Sequence, residues 1–245
     1  MEEERIDKIL MQRNLVSSRQ RAEEVIKQHG VRVNGKLLFK PGKKVPCDAE
    51  IEMMAEELPW VSRGALKLQK ALELWPVKVE GTTAMDIGAS TGGFTEVLLS
   101  EKANKVFCVD VGTGQLVDKI AKDSRVVNLE QTHVRDLTDQ EITDPCDLCV
   151  IDVSFISLKK VFSHITRFLK PQSSVIALVK PQFEVGKAHV GKNGVVRDKR
   201  LYTVVINEII EEANSNGLTY KAHAESPILG GEGNREFLMW LVKEN

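Results

Sequence analysis

The sequence predicts an α/β protein: a mostly parallel sheet with helices on both faces, preceded by a small N-terminal α+β domain. Short apolar runs alternate with helical stretches such as 156–169; the runs are 84–87, 106–110, 126–129, 148–152 and 175–179. Such runs are typical of strands buried on both faces by helices. The first 40 residues differ from the rest in periodicity and in charge. We therefore expect a head and linker at 1–58 and a body at 59–245.

The head begins with two predicted helices and a hairpin. Apolar residues recur at helical spacing from Ile6, and again between the N-cap candidate Ser18 and Gly30, where the pattern stops. Residues 31–37 then alternate in the manner of a strand that enters an Asn34-Gly35 turn, which is a strong hairpin signal. The head is therefore expected to contain both helices and strands.

The body continues the alternation of helices and strands to its end. A helix at 63–72 precedes the first strand, a helix at 201–213 follows the fifth, and two more strands are expected at 218–224 and 237–242. In such sheets, ligands bind beyond the carboxyl ends of the parallel strands. Polar residues at the strand ends are therefore the first candidates for a functional site.

The charge of the chain is divided unevenly along its length. The net charge is −1, from 34 Lys and Arg against 35 Asp and Glu. Residues 5–44 nevertheless contain eleven Lys and Arg against three acids, a surplus of eight, whereas residues 45–60 contain five acids and no base. A basic surplus in a small domain favours a polyanionic partner. The near-neutral total therefore does not exclude a nucleic acid.

Membrane and secretory classes have no support in the sequence. The longest segments without a charged residue hold nine residues, whereas a membrane helix needs about 20 apolar ones. The N-terminus is acidic, unlike a secretory signal. We expect a cytoplasmic protein without stable membrane insertion, and its oligomeric state stays open. The cysteines, including the Cys146–Cys149 pair, are expected to be reduced thiols, and no metal site is expected.

The basic head resembles a known RNA-binding domain, the one named after ribosomal protein S-four. The resemblance is carried by Arg5-Ile-Asp-Lys-Ile-Leu, Ser18-Arg19-Gln-Arg21-Ala22, Ile26-Lys27-Gln-His-Gly30 and Val31-Arg-Val33-Asn34-Gly35. It implies recognition of structured RNA through shape and phosphate contacts. The expected RNA-binding residues are Arg5, Arg19, Arg21, Lys27, Arg32 and Lys36.

The first strand of the body leads into a glycine-rich turn, Asp86-Ile-Gly88-Ala-Ser90-Thr-Gly92-Gly93-Phe94. Its spacing differs from the Gly-x-Gly-x-x-Gly of dinucleotide-binding folds. Asp110 ends the second strand, where an acid accepts hydrogen bonds from a ribose diol. The set resembles the S-adenosyl-L-methionine site of class I methyltransferases. The resemblance implies that this cofactor is bound by Asp86, Gly88, Ser90, Gly92, Gly93, Phe94 and Asp110.

Four further polar residues are expected to meet near this turn. Asp152 and Lys180 end the fourth and fifth strands, Glu236 begins the last strand, and Lys67 lies on the helix before the first. Strand ends that converge on one crevice favour a shared site. The four resemble the catalytic Lys-Asp-Lys-Glu set of the FtsJ-type ribose 2′-O-methyltransferases.

With the head in front, nearly the whole chain resembles the TlyA family, whose members are named as haemolysins and as ribosomal-RNA cytidine 2′-O-methyltransferases. The resemblance implies methylation of ribosomal RNA at cytidine, with ribosomal RNA or ribosomal subunits as partners. One departure is His133, where the family pattern has Asn, which weakens any role carried over to it. Further matching phrases are Trp60-Val-Ser-Arg-Gly-Ala-Leu-Lys67, Asp152-Val-Ser-Phe-Ile-Ser, Lys180-Pro-Gln-Phe-Glu and Gly233-Asn-Arg-Glu236-Phe.

The chemistry of methyl transfer to a hydroxyl suggests a division of roles among the four. The hydroxyl must lose its proton while it is aligned with the methyl donor. A lysine accepts a proton only in its neutral form, which a neighbouring cation or burial favours and a carboxylate opposes. We therefore expect Lys180 to be the base and Lys67 the neighbouring cation, with Asp152 and Glu236 orienting the lysines and the ribose.

Other functions remain as alternatives. A haemolysin that acts directly on membranes would need an apolar span or a strongly amphipathic helix, and neither is visible. An RNA-binding assembly factor with little methyltransferase activity is disfavoured by the intact set of four. Base methylation is the alternative among enzymes, and it typically uses a different motif after the fourth strand.

The segment 182–200 is expected to be a mobile loop that contacts RNA. It is rich in glycine and has no clear periodicity, and loops of this kind often carry binding residues. Its basic residues are Lys187, Lys192, Arg197, Lys199 and Arg200.

Overall fold

The computed structural model describes residues 2–55, 58–191 and 193–244. The chain forms two compact units, Met1–Pro59 and Trp60–Asn245. None of the helices in the described ranges is long and apolar enough to cross a membrane.

The first unit contains two helices and five short strands. One small sheet pairs β1 with β4, and the other places β2 between β3 and β5; all pairs are antiparallel. The helices pack on these strands through a core that includes Ile6, Leu10 and Ile26. The elements are β1 (Glu3–Arg5), α1 (Ile6–Gln12), α2 (Arg19–His29), β2 (Val31–Val33), β3 (Lys36–Leu38), β4 (Lys44–Pro46) and β5 (Ile51–Met53).

The boundaries of α2 and of the hairpin confirm the sequence predictions. Ser18 caps α2, because its hydroxyl accepts a hydrogen bond from the backbone N–H of Arg21 at 3.2 Å. Gly30 ends the helix with a φ of 77°. The two turn residues between β2 and β3, Asn34 and Gly35, both have positive φ, at 47° and 79°. This is the conformation that a two-residue hairpin turn requires.

A buried acid ties this unit together. The side chain of Asp7 is fully buried and pairs with Arg5 Nη2 at 2.7 Å and with Arg19 Nε at 3.1 Å. Burial opposes ionisation of Asp7, but the hydrogen bonds from both guanidinium groups outweigh it and lower the pKa of this carboxyl below its ordinary value. Arg5 and Arg19 therefore have a structural role in addition to any contact with RNA.

The second unit is built on one seven-stranded sheet. Its elements are α3 (Ala65–Leu74), β6 (Thr83–Ile87), α4 (Gly93–Ser100), β7 (Lys105–Val109), α5 (Asp118–Ala121), β8 (Val126–Leu129), β9 (Cys146–Ile151), α6 (Phe162–Ile165), β10 (Leu169–Val179), α7 (Pro181–Glu184), α8 (Arg200–Ser215), β11 (Leu218–Glu225) and β12 (Phe237–Lys243).

The order of the strands across the sheet is β11-β12-β10-β9-β6-β7-β8. The five central and distal strands β10, β9, β6, β7 and β8 run parallel, and β12 is antiparallel to both of its neighbours. All five predicted apolar runs lie on the parallel strands, and the last two predicted strands are β11 and β12. The predicted fold class, with a mostly parallel sheet, is confirmed.

Helices cover both faces of this sheet. Successive residues of a strand point to opposite faces, so Met85 and Phe107 join one core while their neighbours Ala84 and Val106 join the other. The first core contains side chains of α6 and α8, and the second contains side chains of α3, α4 and α5. Burial on both sides explains why these strands are continuously apolar.

The helical stretch expected at 156–169 is divided into three pieces. A 3₁₀ turn at Leu158–Lys160, α6 and a second 3₁₀ turn at Thr166–Phe168 follow one another. The apolar spacing still buries Leu158, Phe162 and Ile165. The β-branched residues Val161, Ile165 and Thr166 lower the helix propensity of this segment, which is consistent with its interruption.

Candidate active site

Four charged side chains meet at the carboxyl ends of the parallel strands. Asp152 follows β9 and Lys180 follows β10. Glu236 precedes β12, whose antiparallel direction brings its first residue to the same edge of the sheet. Lys67, in α3, reaches Glu236 from the covering helix layer. The structure thus brings together the four residues that the sequence singled out.

The four groups form a row of alternating charge. Lys180 Nζ lies 2.5 Å from Asp152 Oδ1, and Lys67 Nζ lies 3.9 Å from Asp152 Oδ2. Lys67 Nζ also donates a hydrogen bond of 2.6 Å to Glu236 Oε2. Lys180 Nζ donates its own hydrogen bond to Ser154 Oγ at 2.9 Å. Asp152 therefore lies between the two lysines, with one oxygen directed to each.

Pairing explains why these charges are tolerated at low exposure. The side chains of Lys67 and Glu236 are 9% and 3% exposed, and buried charges of this kind require partners. The two cations and two carboxylates cancel in formal charge. Asp152 Oδ1 is buried and lies against the ammonium group of Lys180.

Gly230 makes room for the carboxyl group of Glu236. A Cβ atom at position 230 would lie 2.0 Å from Glu236 Oε1. The backbone N–H of Gly230 also donates to the carbonyl of Asn234 at 2.9 Å, which closes the turn before β12. Sequence reasoning missed Gly230, because nothing in its local pattern shows that it faces a residue six positions later.

A cavity of about 440 Å³ opens beside this charged row. Its lining includes four of the predicted site residues, Gly88, Ser90, Asp110 and Asp152. A smaller adjoining pocket of about 140 Å³ is lined by two more of them, Gly93 and Phe94, and also by Ser62. Gly92 lines neither cavity; it is the N-cap of α4 and packs against Leu116.

Asp110 faces the cavity from the end of β7. Its two carboxylate oxygens accept hydrogen bonds from the backbone N–H groups of Ser90 at 2.8 Å and Gly112 at 2.7 Å. These bonds orient the carboxylate, and each oxygen keeps a further lone pair. The geometry is therefore suited to accept hydrogen bonds from a pair of ligand hydroxyls.

Asp86 lies within β6 and is completely buried. Its Oδ2 accepts a hydrogen bond from Thr95 Oγ1 at 2.6 Å, while Oδ1 has no hydrogen-bond partner among the described residues. Burial, aided by the nearby charges of Asp152 and Asp110 and opposed by the hydrogen bond from Thr95, raises the pKa of Asp86 to about 7. A neighbouring cation would favour the ionised form.

Asp86 predicts a pH-dependent stability of the ligand-free protein. The unfolded chain loses this proton near pH 4, whereas the folded chain keeps it until about pH 7. The stabilisation is therefore complete below pH 4 and is lost as the pH rises to about 7, at about 1.4 kcal/mol per unit of pKa difference. Unfolding by urea should show that the isosteric Asp86→Asn variant lacks this decline. An identical pH dependence in both proteins would contradict the assignment.

The cavity fits the cofactor that the sequence implies, a sulfonium and ammonium cation that carries a ribose. Its volume lies in the range of small-molecule sites. The carboxylates of Asp110 and Asp152 line it, and the buried Oδ1 of Asp86 is an orphaned acceptor next to them. A cation with two ribose hydroxyls would satisfy these acidic groups.

Phe155 and His133 also line the cavity; Phe155 was not predicted as a site residue, and His133 was assigned a weakened role. Phe155 is 92% exposed with a φ of 64°, and its ring lies 5.1 Å from that of Phe183. A strained and exposed aromatic residue three positions after Asp152 indicates a functional surface. His133 lines the cavity and its Nδ1 accepts from the backbone N–H of Arg135 at 3.1 Å. An Asn side chain would make the same kind of local bond.

The segment expected to be a mobile loop at 182–200 is attached to the site. It begins with α7 and is held by the buried Asn234, whose Oδ1 accepts from Val196 N at 3.1 Å and whose Nδ2 donates to the carbonyl of Gly194 at 2.9 Å. Lys192 lies outside the described residues. Asn234 is two positions before Glu236, so the residue that holds the loop lies next in the chain to a residue of the charged row.

The predicted RNA-binding residues of the first unit are distributed over its surface. Lys27 pairs with Glu23 along α2, and Arg32 pairs with Glu52 across β2 and β5. Lys36 is exposed at the start of β3, and Arg21 belongs to the first turn of α2. Together with the Asp7-bound Arg5 and Arg19, these residues keep positive charge at the surface of a small unit.

Comparison with known proteins agrees with this architecture. The FtsJ-like methyltransferase model matches residues 60–243, and the S4 domain model matches residues 4–51. The 16S/23S rRNA (cytidine-2′-O)-methyltransferase TlyA of Mycobacterium tuberculosis is 42% identical over 97% of this chain and 89% of its own length. Hemolysin A of Brachyspira hyodysenteriae is 35% identical over 97% of this chain and 99% of its own length.

A solved structure is similar over the full chain. It is a Streptococcus thermophilus protein described as a hemolysin, with 40% identity and a TM-score of 0.80, and the match covers 100% of this chain and 90% of that one. The matches to both domain models and to these relatives extend over nearly all residues. The chain therefore belongs to the TlyA family, in which an S4 domain precedes an FtsJ-like methyltransferase domain.

Proposed function

We propose that this protein transfers a methyl group from S-adenosyl-L-methionine to the ribose 2′-hydroxyl of a cytidine in ribosomal RNA. The row formed by Lys180, Asp152, Lys67 and Glu236 at the edge of an acidic cavity is the observation that carries the proposal. The names of the relatives support the choice of ribosomal RNA and of cytidine. A ribosomal-RNA substrate supports the expected location in the cytoplasm.

The cavity residues would bind and orient the cofactor. Asp110 would accept hydrogen bonds from the ribose hydroxyls of the cofactor, and Asp86 would balance the positive charge of the cofactor. When bound, the cofactor supplies an electrophilic methyl group on a positively charged sulfur. The smaller pocket, lined also by Gly93 and Phe94, shares Asp152 with the larger cavity.

The charged row would then prepare the RNA hydroxyl. Asp152 would orient Lys180, and the amine of Lys180 would take the proton of the hydroxyl. Lys67, held by Glu236 at 2.6 Å, would stabilise the negative charge that develops on the oxygen. Orientation of these groups before the reaction lowers the barrier without the need for further catalytic groups.

Phe155 offers the RNA an aromatic surface at the mouth of the cavity. A ring that is 92% exposed and held next to Phe183 can stack on an unpaired base. Stacking of this kind would hold a nucleotide whose ribose has left the RNA structure and reached Asp152.

Three basic residues at the surface of the first unit predict salt-dependent binding of ribosomal subunits. Replacing Lys27, Arg32 and Lys36 together by alanine should weaken binding about tenfold or more at low salt and reduce the salt slope by roughly two, because each cation releases counterions from RNA. Arg5 and Arg19 are left in place because they hold Asp7. Affinity for S-adenosylhomocysteine, measured by calorimetry, should not change.

A surface lysine of the second unit provides the control for this triple variant. Lys102 is 74% exposed and pairs with Glu80, much as Lys27 pairs with Glu23. Lys102→Ala should bind subunits like the unmodified protein in filter-binding assays. If the triple variant binds subunits as well as the unmodified protein, the three replaced residues do not contact the RNA.

The reaction itself is tested by transfer of tritium from labelled S-adenosylmethionine to ribosomal subunits from cells that lack the protein. Ribose methylation leaves label in dinucleotides that resist alkali, whereas base methylation leaves it in mononucleotides. Digestion to nucleosides then identifies the labelled ribose as that of cytidine or of another base. No transfer to either subunit, or lysis of vesicles by the protein without cofactor, would contradict the proposal.

A further inference from the structure

Glu130 lines neither cavity, but its carboxylate holds a loop that forms part of the wall of the larger cavity. Glu130 follows β8, and its side chain accepts hydrogen bonds from three successive backbone N–H groups of the loop after β7. Gly114 donates to Oε2 at 3.0 Å, and Gln115 and Leu116 donate to Oε1 at 2.7 and 3.1 Å. These bonds lower the pKa of Glu130 below its ordinary value, with the bond from Leu116 contributing most.

The loop held in this way carries residues that face the cavity. Asp110, Val111 and Gln115 all line it. The backbone after Glu130 adds two more links, since Gln131 N donates to the Gly112 carbonyl and Thr132 N donates to the Asp110 carbonyl, both at 2.9 Å. Five hydrogen bonds thus join residues 110–116 to residues 130–132, and the side chain of Glu130 accepts three of them.

A second link joins this loop to the glycine-rich turn. Gln115 Oε1 accepts a hydrogen bond from Ser90 Oγ at 3.2 Å, and Ser90 N is one of the two donors to Asp110. A shift of Gln115 would therefore change the surroundings of Asp110 from two sides. Gly114 lies in this loop with a φ of 62°, and among the described residues no atom apart from its chain neighbours lies within 4 Å of the position that a Cβ would take.

We propose that Glu130 is a positioning residue for the nucleoside part of the cofactor, acting through the backbone of Gly114, Gln115 and Leu116. This inference rests on the proposed function and assigns a residue that the sequence patterns did not single out. Glu130 holds the loop in the shape that directs Asp110 and Gln115 into the cavity. The charged row around Lys180 lies on other strands, so Glu130 affects how tightly the cofactor binds and not the transfer step.

The Glu130→Gln variant tests this inference in the full-length protein. The amide oxygen can accept from Gln115 and Leu116, but its NH₂ group would then face the N–H of Gly114, and the charge is lost. The dissociation constant of S-adenosylhomocysteine, measured by calorimetry, should rise about tenfold or more. The KM for the cofactor should rise in parallel, while kcat at saturating cofactor stays within about twofold.

The control is Glu141, a partly exposed acid whose side chain also accepts a backbone hydrogen bond. Its Oε2 accepts from the N–H of Thr138 at 2.8 Å, and it lines neither cavity. Glu141→Gln should bind S-adenosylhomocysteine like the unmodified protein. If Glu130→Gln does not fold, Glu130→Asp keeps the charge on a shorter side chain and should bind more weakly than the unmodified protein but with the same kcat.

The outcomes separate this inference from the proposed function. If the unmodified protein binds no S-adenosylhomocysteine, the proposed function fails. If it binds and Glu130→Gln or a folded Glu130→Asp binds equally well, only the positioning role is overturned. An equal loss in Glu141→Gln, or a fall in kcat without a change in KM, also overturns it.

Discussion

Replacing Lys180 by methionine is expected to abolish methyl transfer while cofactor binding persists. Methionine keeps most of the length of the side chain but removes the amine that pairs with Asp152 at 2.5 Å and donates to Ser154 at 2.9 Å. Loss of a general base typically costs about 10²- to 10⁴-fold in rate. Single-turnover transfer of tritium to ribosomal subunits measures this effect.

The affinity of this variant for S-adenosylhomocysteine should stay within about twofold, because Lys180 lines neither cavity. Lys102→Met is the matched control, since it removes an exposed lysine whose partner is Glu80. A thermal melt shows whether Lys180→Met remains folded when Asp152 keeps only Lys67 as a cation. Normal turnover by the folded variant would remove Lys180 from the mechanism.

Replacing Gly88 by alanine is expected to eliminate both cofactor binding and methyl transfer. Gly88 has a φ of 88°, and a Cβ atom there would lie 2.4 Å from the carbonyl oxygen of Asp152. The contact is with backbone, so the end of β9 must move and carry the Asp152 carboxylate with it. The left-handed conformation adds about 1–2 kcal/mol for a residue with a side chain. Calorimetry with S-adenosylhomocysteine and a thermal melt measure both consequences.

Gly186 offers a control for this substitution. It has no positive φ, and no atom lies within 4 Å of the position that a Cβ would take. Gly186→Ala should therefore change neither cofactor affinity nor the melting temperature. Unchanged affinity in Gly88→Ala would mean that Asp152 tolerates the shift and that the close approach of the two strands is not needed for binding.

The predictable part of the fold follows from burial. A strand covered by helices on both faces is mostly apolar, and this requirement left a local signal in β6, β7, β9 and β10. The edge strand β8 carries the same signal although it is only partly buried. The short strands β1, β4 and β5 had no such signal. Each holds three residues and forms only because a distant segment pairs with it, as Lys44 lies opposite Arg5.

Some residues of the candidate site could likewise be predicted from the sequence, and others could not. Residues that end strands could be predicted, because topology alone brings Asp110, Asp152 and Lys180 to one edge. Residues whose role is to bind a distant segment of the chain could not be predicted. Glu130 binds a loop 14 to 16 positions earlier, as its hydrogen bonds to Gly114, Gln115 and Leu116 show. No spacing rule in a sequence connects such partners.

The sequence by itself determined the fold class, the basic head and the identity of the four charged residues, because apolar periodicity, charge and strand ends are local properties. Only the tertiary structure decided how these residues act on one another. In the structure, Asp152 lies between Lys67 and Lys180, and Arg5 and Arg19 pair with the buried Asp7. Glu130 accepts hydrogen bonds from the loop that lines the cavity. Those outcomes depend on distances between segments far apart in the chain, which side-chain packing and hydrogen bonding set only after the elements have assembled.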